Sequence, residues 1–202
     1  MTYRYSHLLI RLLIPALLAS LLLLVFQSAI ANAYVLEGQG WCNGHASLSL
    51  QTADGAEPYN LDHSTPLNAA STWSGVTTKF YYSNYSDNVS ADVWGFATNA
   101  GSTWLANTNY TYYPLINCMI AANITWNTYY GWNPGTTYCD SNSPHVSWYD
   151  LRSTSLHELG HALGLGHSGD SSAEMYATLA GCTYKGSLAT DDRNGIIAIY
   201  GQ

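Results

Sequence analysis

Three histidines and one glutamate fall within eleven residues, HELGHALGLGH, from His157 to His167, in a chain that has only seven histidines. On a helix, positions i and i+4 share one face about a turn apart. His157 and His161 can therefore reach one metal ion together, and Glu158 lies beside the first of them. The H-E-x-x-H spacing suits zinc, which prefers nitrogen and sulfur donors and, in catalytic sites, keeps one tetrahedral position for water. A third protein ligand is then needed. Gly164 lets the backbone leave the helix at an angle other residues resist, and the turn that follows can deliver His167 to the same ion.

The chemistry implied is hydrolytic. Zinc held by three neutral histidines keeps its full charge, so a bound water is acidified and a carbonyl polarised. Glu158 is placed to take the water's proton and pass it to a leaving amine. A lone histidine more often serves packing, and H-E-x-x-H alone arises by accident in unrelated helices. The longer H-E-x-x-H-x-x-G-x-x-H fixes five residue types, and chance supplies it in about one in 10⁴ chains of this length at roughly 1/20 per position.

The elements that must position these residues follow from periodicity. In residues 149–165 the apolar period changes from two to about 3.6, and Leu151, Ser155, Leu156, Leu159, Ala162 and Leu163 fall along one side of a helix ended by Gly164 and Gly166. Residues 188–201 (LATDDRNGIIAIYG) read as a second helix, with Thr190 as cap and Asp191 and Asp192 in its first turn, where the helix dipole favours negative charge. An earlier helix starts near Ser64-Thr65-Pro66 and runs to Ser74. Strands are expected over residues 76–83, 91–98, 103–113 and 119–127. In the last of these, Ile120, Ala122, Ile124 and Trp126 alternate with more polar neighbours. Residues 34–60 read as an irregular entry segment, and the chain after Asn127 as loop until the metal-binding helix. Strands first and helices later make the class α+β.

Composition bounds the setting. Arg4 and Arg11 precede an apolar run over residues 12–26, and Ala31-Asn32-Ala33 offers an A-x-A cleavage site, so residues 1–33 read as a signal peptide and 34–202 as a single domain. The alternative is an uncleaved membrane anchor, although the run is shorter than the roughly 20 residues of a spanning helix. A secreted, extracellular protein is expected, with no stable membrane association once the leader is cut. Only 9% of residues are charged. Beyond the leader four bases (Lys79, Arg152, Lys185, Arg193) face thirteen acids, a charge of −9 that disfavours nucleic acid as a partner. Cys42, Cys118, Cys139 and Cys182 all lie beyond the leader, and an even number in an exported domain reads as two disulfides. Three pairings are possible; a local loop favours Cys118–Cys139 with Cys42–Cys182. Cys42 could alternatively ligate zinc as a latch, though pairing is the commoner fate of an exported cysteine.

With its extended zinc motif followed by Met175 in SSAEMYATLAG, the chain resembles the metzincins, whose signature is that motif with a Met-turn. Among them it most resembles the matrixins: Ser168 directly after the third histidine, the His167-to-Met175 spacing, the Met175-Tyr176 pair and the Asp191-Asp192 and Gly195-Ile196 register all match. The likeness is strong over residues 150–201 and faint over residues 61–127. It implies a zincin-like fold: a twisted mixed sheet, an active-site helix, and a small C-terminal subdomain ending in a helix. It implies a zinc metalloendopeptidase acting on protein or peptide substrates as a monomer. His157, His161 and His167 would hold one catalytic Zn²⁺, Glu158 would be general base and acid, and Met175 would support the site from beneath. Residues 173–179 would wall the specificity pocket, and residues 103–113 would form the sheet edge that pairs with extended substrate.

Several matrixin features are missing. No prodomain fits between Ala33 and the catalytic domain, His145 lacks the partners of a structural zinc site, calcium (Ca²⁺) sites cannot be placed, and Ala177 stands where a proline is usual. The rival from another class is an exported, zinc-containing but non-proteolytic binding module for sugar or a cell surface. Its aromatic, uncharged strands would be the evidence; the intact Glu158 speaks against it.

Overall fold

The computed structural model describes residues 33–38, 40–50, 64–79, 81–85, 93–113, 115–133 and 148–202, all within the unit Asn32–Gln202. The leader run, Cys139 and His145 lie outside the described residues. Among those described, no helix is long and apolar enough to cross a membrane.

Seven strands and three helices appear among the described residues. The strands are β1 (His45–Leu50), β2 (Tyr81–Tyr85), β3 (Val93–Ala97), β4 (Ala106–Tyr113), β5 (Cys118–Asn127), β6 (Gly131–Asn133) and β7 (Trp148–Asp150). The helices are α1 (Ser64–Ser74), α2 (Leu151–His161) and α3 (Thr190–Tyr200). Five strands form one sheet in the order β2-β1-β3-β5-β4. Pairing is parallel from β2 through β5, and β4 runs antiparallel to β5 at the edge. This is the α+β, mixed-sheet architecture expected from the sequence.

Four expectations about elements need correcting. The entry segment is not wholly irregular: HASLSL forms β1, inside the sheet between β2 and β3. Its alternating Ala46, Leu48 and Leu50 carried the signal, muted by serines and a short length. The strand expected over 76–83 starts later, at Tyr81, because Gly75 to Lys79 turn after α1. The loop after Asn127 contains β6, which pairs in parallel with β7 just before α2. In β5, Ala122, Ile124 and Trp126 are buried as their alternation requires, but Ile120 is exposed. A register shift opposite Thr111 and Tyr112 inserts one residue there and turns Ile120 outward.

The core lies between the sheet and α2. All six residues assigned to the apolar side of that helix, Leu151 to Leu163, are fully buried. The five apolar ones pack with Met119, Ile124 and Trp126 from β5 and with Ala69, Ala70 and Trp73 from α1. Two indoles lock α2 in place from outside its own backbone: Trp73 Nε1 donates to Leu156 O at 2.9 Å, and Trp41 Nε1 to Ala162 O at 2.8 Å. The Tyr200 hydroxyl donates to Leu163 O at 3.0 Å. The carbonyls of Ala162 and Leu163, at the end of α2, thereby find partners that a helix end otherwise lacks.

The cysteine pairing also differs from the one favoured by loop length. Cys42 is bonded to Cys118, and Cys182 is in a disulfide as well. The backbone explains the first pair: the Trp41 segment bridges to Met119, with Met119 N donating to Gly40 O and Cys42 N to Met119 O, so Cys42 is carried beside the start of β5. Bonded to Cys118, the Cys42 sulfur is unavailable as a metal latch.

Candidate metal centre

Asp150 begins α2 by accepting Ser153 N at 2.6 Å on its side chain, an N-cap in the usual sense. At the other end Gly164, at φ +97°, reverses the chain. Gly164 N donates to His161 O at 2.9 Å and Leu165 N to Gly160 O at 3.0 Å, the paired bonds of a Schellman stop. The conformation needed to bring His167 back is thus supplied by the residue expected to supply it.

The helix places His157 and His161 on one face, and the surrounding backbone fixes both rings. His157 Nδ1 meets Glu174 O at 2.7 Å and His161 Nδ1 meets Leu165 O at 2.7 Å. A carbonyl oxygen only accepts, so each Nδ1 carries the proton and each neutral ring turns a bare Nε2 outward. Those two Nε2 atoms face each other at 3.1 Å. Both rings stay neutral: burial pushes His157 down to about 3, helped by the nearby His161, and burial lowers His161 as well. Two acceptor lone pairs converging at that distance repel unless a cation sits between them. Two nitrogens on one tetrahedral zinc stand roughly 3.3 Å apart, given Zn–N bonds of about 2.05 Å. The third ring, His167, is exposed and has its centroid 5.2 Å from that of His157 and 4.9 Å from that of His161. One nitrogen from each ring lies within 4.8 Å of the others, a set that fits a zinc ion.

Glu158 points into the same cleft and is almost fully buried. Burial raises its carboxyl to about 7, opposed by the Thr108 hydroxyl, which donates to Oε2 at 2.6 Å. A proton affinity near neutrality would let this carboxyl both take up and release a proton. The cleft holds about 470 Å³ and is lined by β4 from Ala106 to Thr108 on one side and by Tyr176, Ala177, Thr178 and Leu179 on the other. The edge strand and the segment expected to wall the pocket therefore do meet at the three histidines.

Met175 is buried beneath the helix, where its sulfur packs on Gly160. A Cβ on Gly160 would run into that sulfur and come within 3.0 Å of Trp73 Cζ2, so the residue between the two helical histidines has to be glycine for both neighbours to approach. The acidic pair in α3 does more than complement a dipole. Asp192 accepts Met175 N at 3.1 Å with one oxygen, and Glu174 N at 2.9 Å and Ala189 N at 2.8 Å with the other. Asp191 accepts the Ser168 hydroxyl at 2.6 Å, and Ala33 N and Tyr34 N at 3.0 and 3.1 Å. Thr190 is not the cap of α3. The helix starts at that residue, Ala189 occupies the cap position, and Asp192 takes the cap N–H instead.

Three residues around the site had no warning in the sequence: Thr108, and the pair Glu37 and Tyr110. The Tyr110 hydroxyl is hydrogen-bonded to the Glu37 carboxylate, which lies 4.0 Å from His161 Nδ1. Glu37 is held there because Leu36 bridges to Leu165 and Glu37 N donates to Gly164 O at 2.9 Å. A carboxylate behind a ligand ring strengthens the ring's hold on a cation.

Comparison with known proteins agrees with this geometry. The sequence profile of the family described as Matrixin matches residues 22–201. Metalloendoproteinase 1 of Glycine max is 49% identical over 61 residues, covering 30% of this chain and 20% of that protein. Metalloendoproteinase 1-MMP of Arabidopsis thaliana is 50% identical over 52 residues, 26% of this chain and 14% of that protein. Neutrophil collagenase of Homo sapiens is 50% identical over 54 residues, 26% of this chain and 12% of that protein. The matches span a fifth or less of these relatives' length.

Proposed function

The chain belongs to the matrixin family, and from that premise we propose that it is a secreted zinc-dependent endopeptidase that hydrolyses peptide bonds in proteins. The observation that carries the reading is the facing pair of unprotonated Nε2 atoms on His157 and His161, 3.1 Å apart, with His167 converging on them and Glu158 in the same cleft. Zinc bound by these three rings supplies a Lewis acid that acidifies a water and polarises the scissile carbonyl. The rest falls to the chain's own groups. Glu158 takes the proton from the attacking water and hands it to the departing amine. Strand β4, at the sheet edge, offers its backbone to an extended substrate, which fixes the peptide's direction across the cleft. Tyr176 to Leu179 receive the side chain that follows the cleaved bond, and Met175 supports the metal-binding helix from below. Export is supported by the A-x-A site of the leader and by disulfide-bonded Cys42, Cys118 and Cys182, which suit an oxidising compartment.

The test is hydrolysis of unfolded protein and a quenched fluorescent peptide library by the full-length chain, beside Glu158→Gln, with zinc measured on both. The expected result is cleavage by the wild type and a loss of about 10²-fold or more in a variant that still holds zinc. Zinc-loaded wild type that cleaves nothing would instead identify a non-proteolytic binding module.

A further inference from the structure

The side chains on the inner face of β4 alternate with exposed neighbours, so Ala106, Thr108, Tyr110 and Tyr112 turn toward the metal-binding helix while Asn107, Asn109 and Thr111 turn away. Thr108 reaches furthest into the chemistry. Its hydroxyl lies 2.6 Å from Glu158 Oε2 and 3.0 Å from Glu158 O, across 50 residues of sequence. A hydroxyl has one proton to give, and the short contact to the carboxylate takes it. Among the described residues no hydrogen bond reaches the other carboxylate oxygen, Oε1.

We infer that Thr108 is a positioning residue for Glu158: it occupies Oε2 and so assigns the proton transfers to Oε1. A carboxylate on a free side chain rotates about its terminal bond, so its oxygens sweep through many directions relative to the cleft. The Thr108 bond removes that freedom. The nearby Glu158 carbonyl gives the hydroxyl a second acceptor, so the threonine stays satisfied if the carboxyl turns briefly. The same residue belongs to the strand proposed to pair with substrate, so one side chain fixes the base relative to the backbone that aligns the scissile bond. Errors of about 1 Å in such alignment cost on the order of 10²-fold in rate.

The inference rests on the peptidase reading and is tested in the same assay on the full-length chain, with zinc content and thermal stability measured in parallel. Thr108→Val keeps the shape and removes the hydroxyl; Thr108→Ser keeps the hydroxyl and removes a methyl. The expected result is a fall in kcat between about 10- and 100-fold for valine, with KM within about twofold and zinc unchanged, and recovery of most of that loss with serine. Loss of packing alone would move stability or KM and would not be rescued by serine. A valine variant with wild-type kcat, beside a Glu158→Gln variant that is inactive, overturns the inference and leaves the peptidase reading standing. So does a serine variant as slow as valine. A zinc-loaded wild type without cleavage overturns both.

Discussion

Ser168, the residue directly after the third histidine, donates its hydroxyl to Asp191 at 2.6 Å, across 23 residues of sequence. The same hydroxyl accepts Asp170 N at 2.9 Å, so the turn carrying His167 is tied both to itself and to α3. His167 is the exposed member of the triad, and the Ser168 hydroxyl is one of the anchors of the backbone that carries it.

Ser168→Ala removes a hydrogen bond to a charged acceptor, worth about 1.5–3 kcal/mol. Zinc affinity is expected to fall about tenfold or more, because the exposed histidine's turn loses one of its anchors, while α2 keeps its two histidines. Competition with a chromophoric chelator measures this; unchanged affinity would mean that the turn holds its shape without Ser168.

Adding zinc to metal-stripped protein is expected to raise the melting temperature strongly. The facing Nε2 pair of His157 and His161 is a repulsion that only a cation relieves. At free zinc about 1,000 times Kd the gain is about 4 kcal/mol, or about 10 °C for a domain of this size. Calorimetry with and without chelator reads it directly, and His161→Ala should abolish most of the shift.

Gly160→Ala sets two effects against each other. Helix propensity favours alanine by about 1 kcal/mol, whereas the new methyl meets the Met175 sulfur and Trp73, an overpacking that costs about 1–3 kcal/mol. The clash should win, with a net loss in denaturant midpoint. Met175→Ala in the same chain should return part of it, since the sulfur is the closest obstacle; strictly additive losses would contradict that contact.

Replacing both Cys42 and Cys118 by alanine opens a loop of sequence separation 76. Chain entropy assigns such a crosslink about 4 kcal/mol. Because Trp41 donates to Ala162 O at the end of α2, the loss should also appear as faster amide exchange in that last turn. Exchange that changes only in β5 would show the two regions to be independent.

The helix of the three-histidine motif is legible because metal chemistry restricts residue type and spacing at once. His157, Glu158, His161, Gly164 and His167 leave few alternatives, and the positive φ of Gly164 was implied by the need to return His167. Periodicity makes α2 and β5 equally readable, and the Ser64-Thr65-Pro66 start does the same for α1. What escaped were features whose local signal is weak or missing. HASLSL has an alternating pattern but little β propensity, and only its neighbours β2 and β3 make it a central strand. The Cys42–Cys118 pair depends on where the Trp41 segment docks, which loop length ignores. Thr108 and Glu37 act across 50 and more residues, and threonine on a strand or glutamate in a turn needs no further reason to be there. Asp191 and Asp192 were placed by the helix dipole, a true but minor part of what they do.

The turn that carries His167 is bracketed by segments from far apart in the chain. Ala33 to Glu37 run alongside residues 164–169, with Val35 O accepting Gly166 N at 2.8 Å and Ala33 O accepting Gly169 N at 3.0 Å. Asp191 then clasps Ala33 and Tyr34 from 158 and 157 residues away. On the ribosome, the first of these segments emerges long before the last. Asp191 holds both Ser168 and residues 33–34, so the bracket around the turn is complete only once α3 has been made. A nascent chain therefore passes through most of its synthesis before the loop that bears His167 can be clasped from both sides.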